Sequence, residues 1–296
     1  MIGIEERAAV VALVRRGGAP WNEIADRIAA RGSAVALLDD ELDGCGQATL
    51  FPVHRSEDEL QDAIRDVLAW EKEGLRLLTV LDEEYPLSLR LVREQPPFLF
   101  ARGTLADDEL SVAVVGTRHP SDRGVNYATR IAAGLAERGV TVASGLAQGI
   151  DTAAHTAALS AGGRTVAVIG TGLRRSYPAQ NAQLQLRIAE EGLVLSQFWP
   201  DAPPTKHSFP MRNAIMSGYC LATVVIEAAE RSGARMQARF ALEHGRHVFL
   251  MRALLEHEWA RTYAERPNTT VIDTADQVFE ELERLRPVLA DDLTWA

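Results

Sequence analysis

From Val112 onward, short uninterrupted apolar runs alternate with longer stretches in which apolar residues recur every three or four positions. The runs are VAVVG, VTVAS, TVAVIG, LVLS at 193–196, LATVVIEA at 221–228, HVFLM at 247–251 and TTVID at 269–273. A strand without polar alternation is buried on both faces, as the strands of a parallel sheet are. The stretches between them fit helices, one from about Arg123 to Arg138 and another over Ile150 to Ala161. Strand and crossover helix in repeated succession predict an α/β fold with a doubly wound, mostly parallel sheet. Upstream, LRLLTVL and the Pro-rich YPLSLRLVREQPPFLFARG fit a strand and an extended connection that can add to one sheet edge. The first residues fit a small helical domain: ALVRRGG, a helix opened by Pro20-Trp21 and running through Arg31, then Gly32-Ser33 and AVALLDDEL. The expected organisation is a helical domain over 1–56, a connecting helix, strand and extended segment over 57–110, a core over 111–286 and a tail over 287–296.

Composition changes this picture little. At 296 residues, 47% hydrophobic and 24% charged, the chain is of ordinary globular make-up. Cys45 and Cys220 form no CxxC, so neither a disulfide framework nor a zinc ribbon is expected. Glu5 and Glu6 interrupt the start, and no apolar run reaches the roughly 18 residues of a membrane span, so a cytoplasmic protein is expected. Charge is more informative in its distribution. The net charge of −10 would make the whole surface repel polyanions, yet residues 111–252 carry 15 basic against 9 acidic side chains. The flanks are acidic, with 12 against 22 over 1–110 and 4 against 10 over 253–296. Lys72 and Lys206 are the two lysines among 29 arginines.

Ligands of such sheets bind beyond the carboxyl ends of the strands. Those ends carry Gly116-Thr117-Arg118, Ser144 to Gly149 in SGLAQG, and Gly170-Thr171-Gly172. Glycines let the backbone approach an anion, and the helix that follows offers free N–H groups, so these loops point to phosphate. Neither lysine follows a glycine, which removes a Walker A loop. GTRHPSDRG does not fit the dinucleotide GxGxxG pattern, and no GxSxG elbow surrounds Ser144, Ser196 or Ser232. His244 and His247 lack partners at metal-ligand spacing, so no metal, cofactor or catalytic constellation is expected. Asp151 and His155 share a helix face, the first as a capping acid or, as the lesser reading, a general base, and the second to pack beneath the loop or orient a phosphate. Residues Lys206 to Asn213, KHSFPMRN, put two cations, an aromatic and hydrogen-bonding side chains within eight positions, the make-up of a single-strand-binding cluster. Arg235 and Arg239 follow at i and i+4 on one helix face.

VAVVGTRHPSDRG, ASGLAQGIDTAAHTAAL, GGRTVAVIGTGLRRSYPAQNAQL, HSFPMRNAIMSG and VIEAAERSGARMQARFALEHGRHVF, in this order, resemble the DprA/Smf family of DNA-processing proteins. The resemblance covers about Gly74 to Phe249. It implies an extended Rossmann fold that binds single-stranded DNA without sequence preference, protects it and assists loading of a RecA-type recombinase, usually as a homodimer, in recombination or transformation. Carried over by motif, it implies a DNA pocket of Gly116, Thr117, Arg118, Gly145, Gly149, Lys206, Phe209, Arg212 and Asn213, with Arg235, Arg239, Gly170 and Gly172 as additional positions. Their implied roles are anion nest, backbone cation and base platform. The chain departs from the family pattern in three places. Ala214 stands where a further arginine is usual, the Pro-Gly after Phe249 is replaced by LMRALLEHEW, and too few residues follow TADQVFEELERL for a winged helix. A shortened or divergent member of reduced affinity is therefore expected. The alternatives are a nucleotide-sensing module and a nucleoside-monophosphate phosphoribohydrolase using Glu227 and Glu230, whose PGGxGT-type loop the chain lacks.

Overall fold

The computed structural model describes residues 2–44 and 54–293, with side chains described over 2–41 and 58–285. Residues 45–53 of the expected helical domain, Cys45 among them, and 294–296 of the expected tail lie outside the described residues. The chain divides into two compact units, 1–85 with 93–102 and 86–92 with 103–296.

The first unit contains helices α1 (Ile4–Arg16), α2 (Trp21–Arg31), α3 (Ala34–Gly44) and α4 (His54–Lys72), and the strands β1 (Arg76–Thr79) and β2 (Phe98–Gly103). In α1 the run Ala8 to Val14 is buried throughout, while Glu5 and Glu6 open the helix and Arg15 and Arg16 close it, matching the helix dipole. Glu6 reaches the start of α3, where its carboxylate accepts from Ser33 Oγ and Ala34 N, each at 2.6 Å. β1 and β2 pair antiparallel from Arg76↔Ala101 to Thr79↔Phe98.

In chain order the second unit contains α5 (Leu87–Arg90), β3 (Ser111–Val115), α6 (Asp122–Glu137), β4 (Thr141–Ser144), α7 (Ile150–Ser160), β5 (Thr165–Val168), α8 (Ala182–Glu191), β6 (Leu193–Ser196), α9 (Ser208–Tyr219), β7 (Ala222–Val225), α10 (Gly233–Glu243), β8 (His247–Met251), α11 (Glu258–Ala264), β9 (Thr269–Ile272) and α12 (Ala275–Leu293). Its strands follow the order β6-β5-β4-β3-β7-β8-β9, all pairs parallel. Every residue of β3 to β8 is buried, as the absence of polar alternation predicts. Two helix groups cover the sheet, α6 with α7, α8 and α12, and α9 with α5 and α10. The chain winds outward from β3 through β6, then returns along α9 to place β7 on the other flank of β3. The strand order therefore reverses between β3 and β7, where a doubly wound sheet opens its binding crevice.

The apolar run 221–228 yields a strand of four residues, Ala222–Val225. Beyond it Glu227 turns to the start of α6, where its carboxylate accepts from Ser121 N at 3.0 Å and from Ser121 Oγ. Ser121 in turn caps α6 by accepting from Gly124 N at 3.0 Å.

Candidate functional site

Two glycine-bearing loops meet at the carboxyl edge of the sheet. Ile150 N, at the start of α7, donates to Thr117 O at 3.2 Å. A Cβ on Gly116 would stand 2.5 Å from Ile150 Cγ1, and one on Gly149 2.5 Å from Thr117 O. Gly149 also has φ +81°, a region that side-chain-bearing residues rarely enter. Both glycines therefore let one loop rest on the other. The Gly145 N–H is taken: together with Ala147 N it donates to Asp151 Oδ2, at 3.1 and 3.3 Å. Asp151 is itself buried, and loss of solvent raises its pKa against the opposing pull of Arg212 and these amides.

Arg212, on α9, ties the loops together from below. It is 7% exposed, and Nη1 donates to Gly145 O at 2.5 Å and Val168 O at 2.8 Å, beyond β4 and at the end of β5. Its Nε donates to Asn213 Oδ1 at 2.9 Å, and Asn213 Nδ2 donates to Gly233 O at 3.1 Å, which links α9 to the first residue of α10. A Cβ on Gly145 would overlap the guanidinium, so only glycine leaves room for it. Burial lowers the Arg212 pKa, Asp151 opposes the shift and Arg118 adds to it. Arg118 and Arg212 are thus two cations close enough to feel one another, with the Asp151 carboxyl beside them.

That space has two parts. A cleft of about 360 Å³ opens at the β3/β7 reversal, with Thr117, Arg118, Asp151, Arg212, Arg231 and Gly233 in its walls. A smaller hollow of about 50 Å³ adjoins it, lined by Gln148, Gly170, Tyr177 and Phe209, and it shares Arg118 and Arg212 with the cleft. Ser232 caps α10 by accepting from Arg235 N at 3.1 Å. Gly233 and Ala234, the first residues of α10, line the cleft at the positive end of the helix, where the first amides have no intrahelical acceptor. Among the described residues, Arg118 and Arg231 hydrogen-bond no acid and sit in no ion pair, and the same holds for exposed Lys206.

The expected residues fall into separate sets. Gly116, Thr117, Arg118, Arg212 and Asn213 line the cleft, while Arg118, Gly145, Gly170, Phe209 and Arg212 line the hollow. Gly149 shapes the loop behind them, and Lys206 stands outside both spaces on the segment before α9. Gly172 also lies outside, donating to Ala202 O at 2.9 Å and packed against the carbonyls of Trp199 and Pro200. Arg235 and Arg239 line neither space and face Glu230 at 2.9 Å and Glu243 at 3.8 Å. Phe209 is half-buried against Gly170, with Tyr177 at 5.5 Å between ring centroids and the Arg118 guanidinium 5.6 Å from its own. Arg231, Gln148 and Tyr177 were not singled out by the motifs. Arg231 could have been found as the residue just before the Ser-Gly that opens α10, whereas nothing in the sequence separates Tyr177 from a loop tyrosine.

The remaining candidates are engaged elsewhere. Glu227 caps α6 and Glu230 faces Arg235, so neither presents a free acid to the cleft. Ser144 and Ser196 donate to the carbonyls of Val114 and Thr171, both at 2.7 Å. Among the described residues no group of three His, Cys, Asp or Glu side chains is arranged to hold a metal, and no helix is long and apolar enough to cross a membrane. His155 is fully buried beneath the loop. Thr165 Oγ1 gives its proton to Val142 O at 2.6 Å, so His155 Nδ1–H donates to Thr165 Oγ1 at 2.7 Å. Burial first, and the Arg212 charge second, hold the imidazole pKa down to about 3, against a smaller upward pull from the Ser144 backbone. Unfolding frees it to bind a proton near pH 6.5, so protons favour the unfolded chain, and stability falls as pH drops from about 6.5 towards 3. Urea melts at pH 7 and pH 5 are expected to show wild type losing about 2 kcal/mol more than His155→Gln.

The sequence profile of the DNA recombination-mediator protein A family matches residues 76–283. The DNA processing protein DprA of Streptococcus pneumoniae is 45% identical over 218 residues, 72% of this chain and 74% of that protein. Its counterpart in Bacillus subtilis is 34% identical over 74% of this chain and 75% of its own length. The Smf protein of Synechocystis is 41% identical over 60% of this chain, which spans 46% of that longer protein. The X-ray structure of S. pneumoniae DprA superposes with a TM-score of 0.73 at 33% identity, covering 95% of this chain and 98% of that one. A structure of Helicobacter pylori DprA, described as giving insight into its single-stranded DNA binding mode, superposes at 0.63 with 26% identity over 70% and 96% of the two chains. With the profile spanning most of the described sheet and its loops, the chain belongs to the DNA recombination-mediator protein A family, the DprA/Smf proteins.

Proposed function

We propose that the protein binds single-stranded DNA through its phosphates, without reading sequence, at the carboxyl edge of the second unit's sheet. The observation that carries this reading is the set of cations left without acids. Arg118, Arg231 and Lys206 have no acidic partner among the described residues, while Arg235, Arg239 and Arg252 on the same unit each face a carboxylate. Arg212 and the first amides of α10 add donors at the cleft floor and wall. Such groups hold phosphate oxygens and carry no base information, and membership of a family with a DNA-binding relative supports the same reading. The site does its work by binding and shielding, with no covalent step; Gly116, Thr117, Gly145, Gly149 and Asn213 serve it by placing Arg118 and Arg212, and Gly170 by seating Phe209. In the cytoplasm a strand held this way is passed to a RecA-type recombinase during recombination or transformation, with two copies of the protein acting as a homodimer.

The test is the salt dependence of oligo-dT affinity for wild type and for Arg118→Ala, Arg231→Ala and Lys206→Ala. Each phosphate contact on a single strand contributes about 0.7 to the slope of log affinity against log salt concentration, so each variant is expected to flatten the slope by about that amount. Unchanged slopes in all three variants would contradict the assignment.

A further inference from the structure

The cluster KHSFPMRN makes Phe209 the obvious ring for a base to stack on. Its surroundings reserve most of that ring for the protein. Gly170 lies against Phe209 closely enough that a Cβ would meet Cδ1 at 2.9 Å, and Arg118 and Tyr177 occupy two further sides. Tyr177 is the outer member of the pair, 42% exposed, with its ring tilted 42° to that of Phe209. Gln148 lines the same hollow, and its carboxamide hydrogen-bonds no described residue. We propose that Tyr177 and Gln148 form a base-holding subsite, in which a nucleobase stacks on Tyr177 backed by Phe209 and presents its edge to Gln148. The proposal rests on the single-strand reading above and adds to it which side chains meet the base.

Two features fit this ligand. Arg118 and Arg212 line both the hollow and the phosphate cleft, so a base in one and a phosphate in the other belong to neighbouring parts of one strand. A carboxamide offers a donor and an acceptor side by side and reverses them by rotation, so Gln148 meets the polar edge of any base, and stacking is equally tolerant of sequence. The subsite thus strengthens binding without selecting a sequence.

The experiment compares a labelled oligo-dT with an abasic oligomer of the same length and phosphate count, for wild type, Tyr177→Leu, Tyr177→Phe and Gln148→Ala. Wild type is expected to prefer oligo-dT over the abasic strand. Tyr177→Leu is expected to weaken oligo-dT binding by about 5- to 150-fold, the range for loss of one base–aromatic stack, and to leave abasic binding unchanged. Tyr177→Phe retains wild-type affinity, and Gln148→Ala shows a smaller loss confined to oligo-dT. Equal losses on both strands, or none on oligo-dT, would overturn the subsite. If Tyr177→Leu melts early, Gln148→Ala decides the matter by the same comparison, since its side chain has no partner to lose. Wild type that bound neither strand would overturn the functional reading itself, whereas tight binding indifferent to Tyr177 and Gln148 would overturn the subsite alone.

Discussion

Arg212→Ala is expected to lose about 3–5 kcal/mol of folding stability and to weaken oligo-dT binding by about 10- to 100-fold. The guanidinium is buried and satisfies Gly145 O, Val168 O and Asn213 Oδ1 at once. Its removal takes a donor from each of these three acceptors and takes away the positive charge that draws the Asp151 pKa down against the upward push of burial. The two effects act on different readouts. Stability is measured as the shift in urea midpoint at constant slope, which separates lost free energy from a changed unfolded state. Affinity is measured well below the melting range, where the cleft has lost its floor cation. Arg212→Lys keeps a charge near Asp151, but one ammonium cannot span two carbonyls and an amide, so intermediate stability is expected. A variant as stable as wild type would contradict the bridging role.

Gly149→Ala is expected to cost about 3 kcal/mol and to disturb the cleft although Gly149 touches no ligand space. Its φ of +81° with ψ of −121° is strained for any residue bearing a Cβ, a penalty of about 1–3 kcal/mol. The added carbon would also stand 2.5 Å from Thr117 O and 2.8 Å from the Arg118 carbonyl carbon, backbone atoms that move only if the whole loop moves. The loop that shifts is the one carrying Arg118, so affinity falls along with the melting temperature. Gly162→Ala is the control: its φ of +69° also lies where side-chain-bearing residues are strained, but nothing lies within 4 Å of the added Cβ. It is expected to lose stability without losing affinity. Equal affinity losses in the two variants would contradict a specific role for the loop contact.

Much of the second unit was legible because its strands are buried on both faces, which turns VAVVG, TVAVIG and HVFLM into unbroken apolar runs. Their winding order was legible as a class, but the reversal between β3 and β7 depends on the return path along α9, which leaves no local mark. Helix α5 shows the same limit. Pro86–Val92 groups with the second unit while the chain on either side groups with the first, and only long-range packing decides that. In the site, the glycines were legible as necessary, but the reason differs from residue to residue. Gly145 makes room for Arg212, Gly149 for the Arg118 loop and Gly172 for the carbonyls of Trp199 and Pro200. The motif HSFPMRN revealed that a cation and an aromatic matter without revealing that Arg212 turns inward and Met211 outward on the same helix. Arg235 and Arg239 illustrate a signal that was present: Glu243 stands four residues after Arg239 and Glu230 five before Arg235, and such neighbours neutralise helix cations. Arg231, with no acid in ion-pair reach among the described residues, is the cation of that segment left for a phosphate.

The central claim is that unneutralised cations at the sheet's carboxyl edge hold the phosphates of a single strand. Fluorescence anisotropy of a labelled oligo-dT, alongside a duplex of the same length and at two salt concentrations, tests it most directly. The account predicts tight binding of the single strand at low salt, weaker binding of the duplex, and a steep loss of affinity at the higher salt. Absence of single-strand binding at low salt, or affinity indifferent to salt, would contradict it.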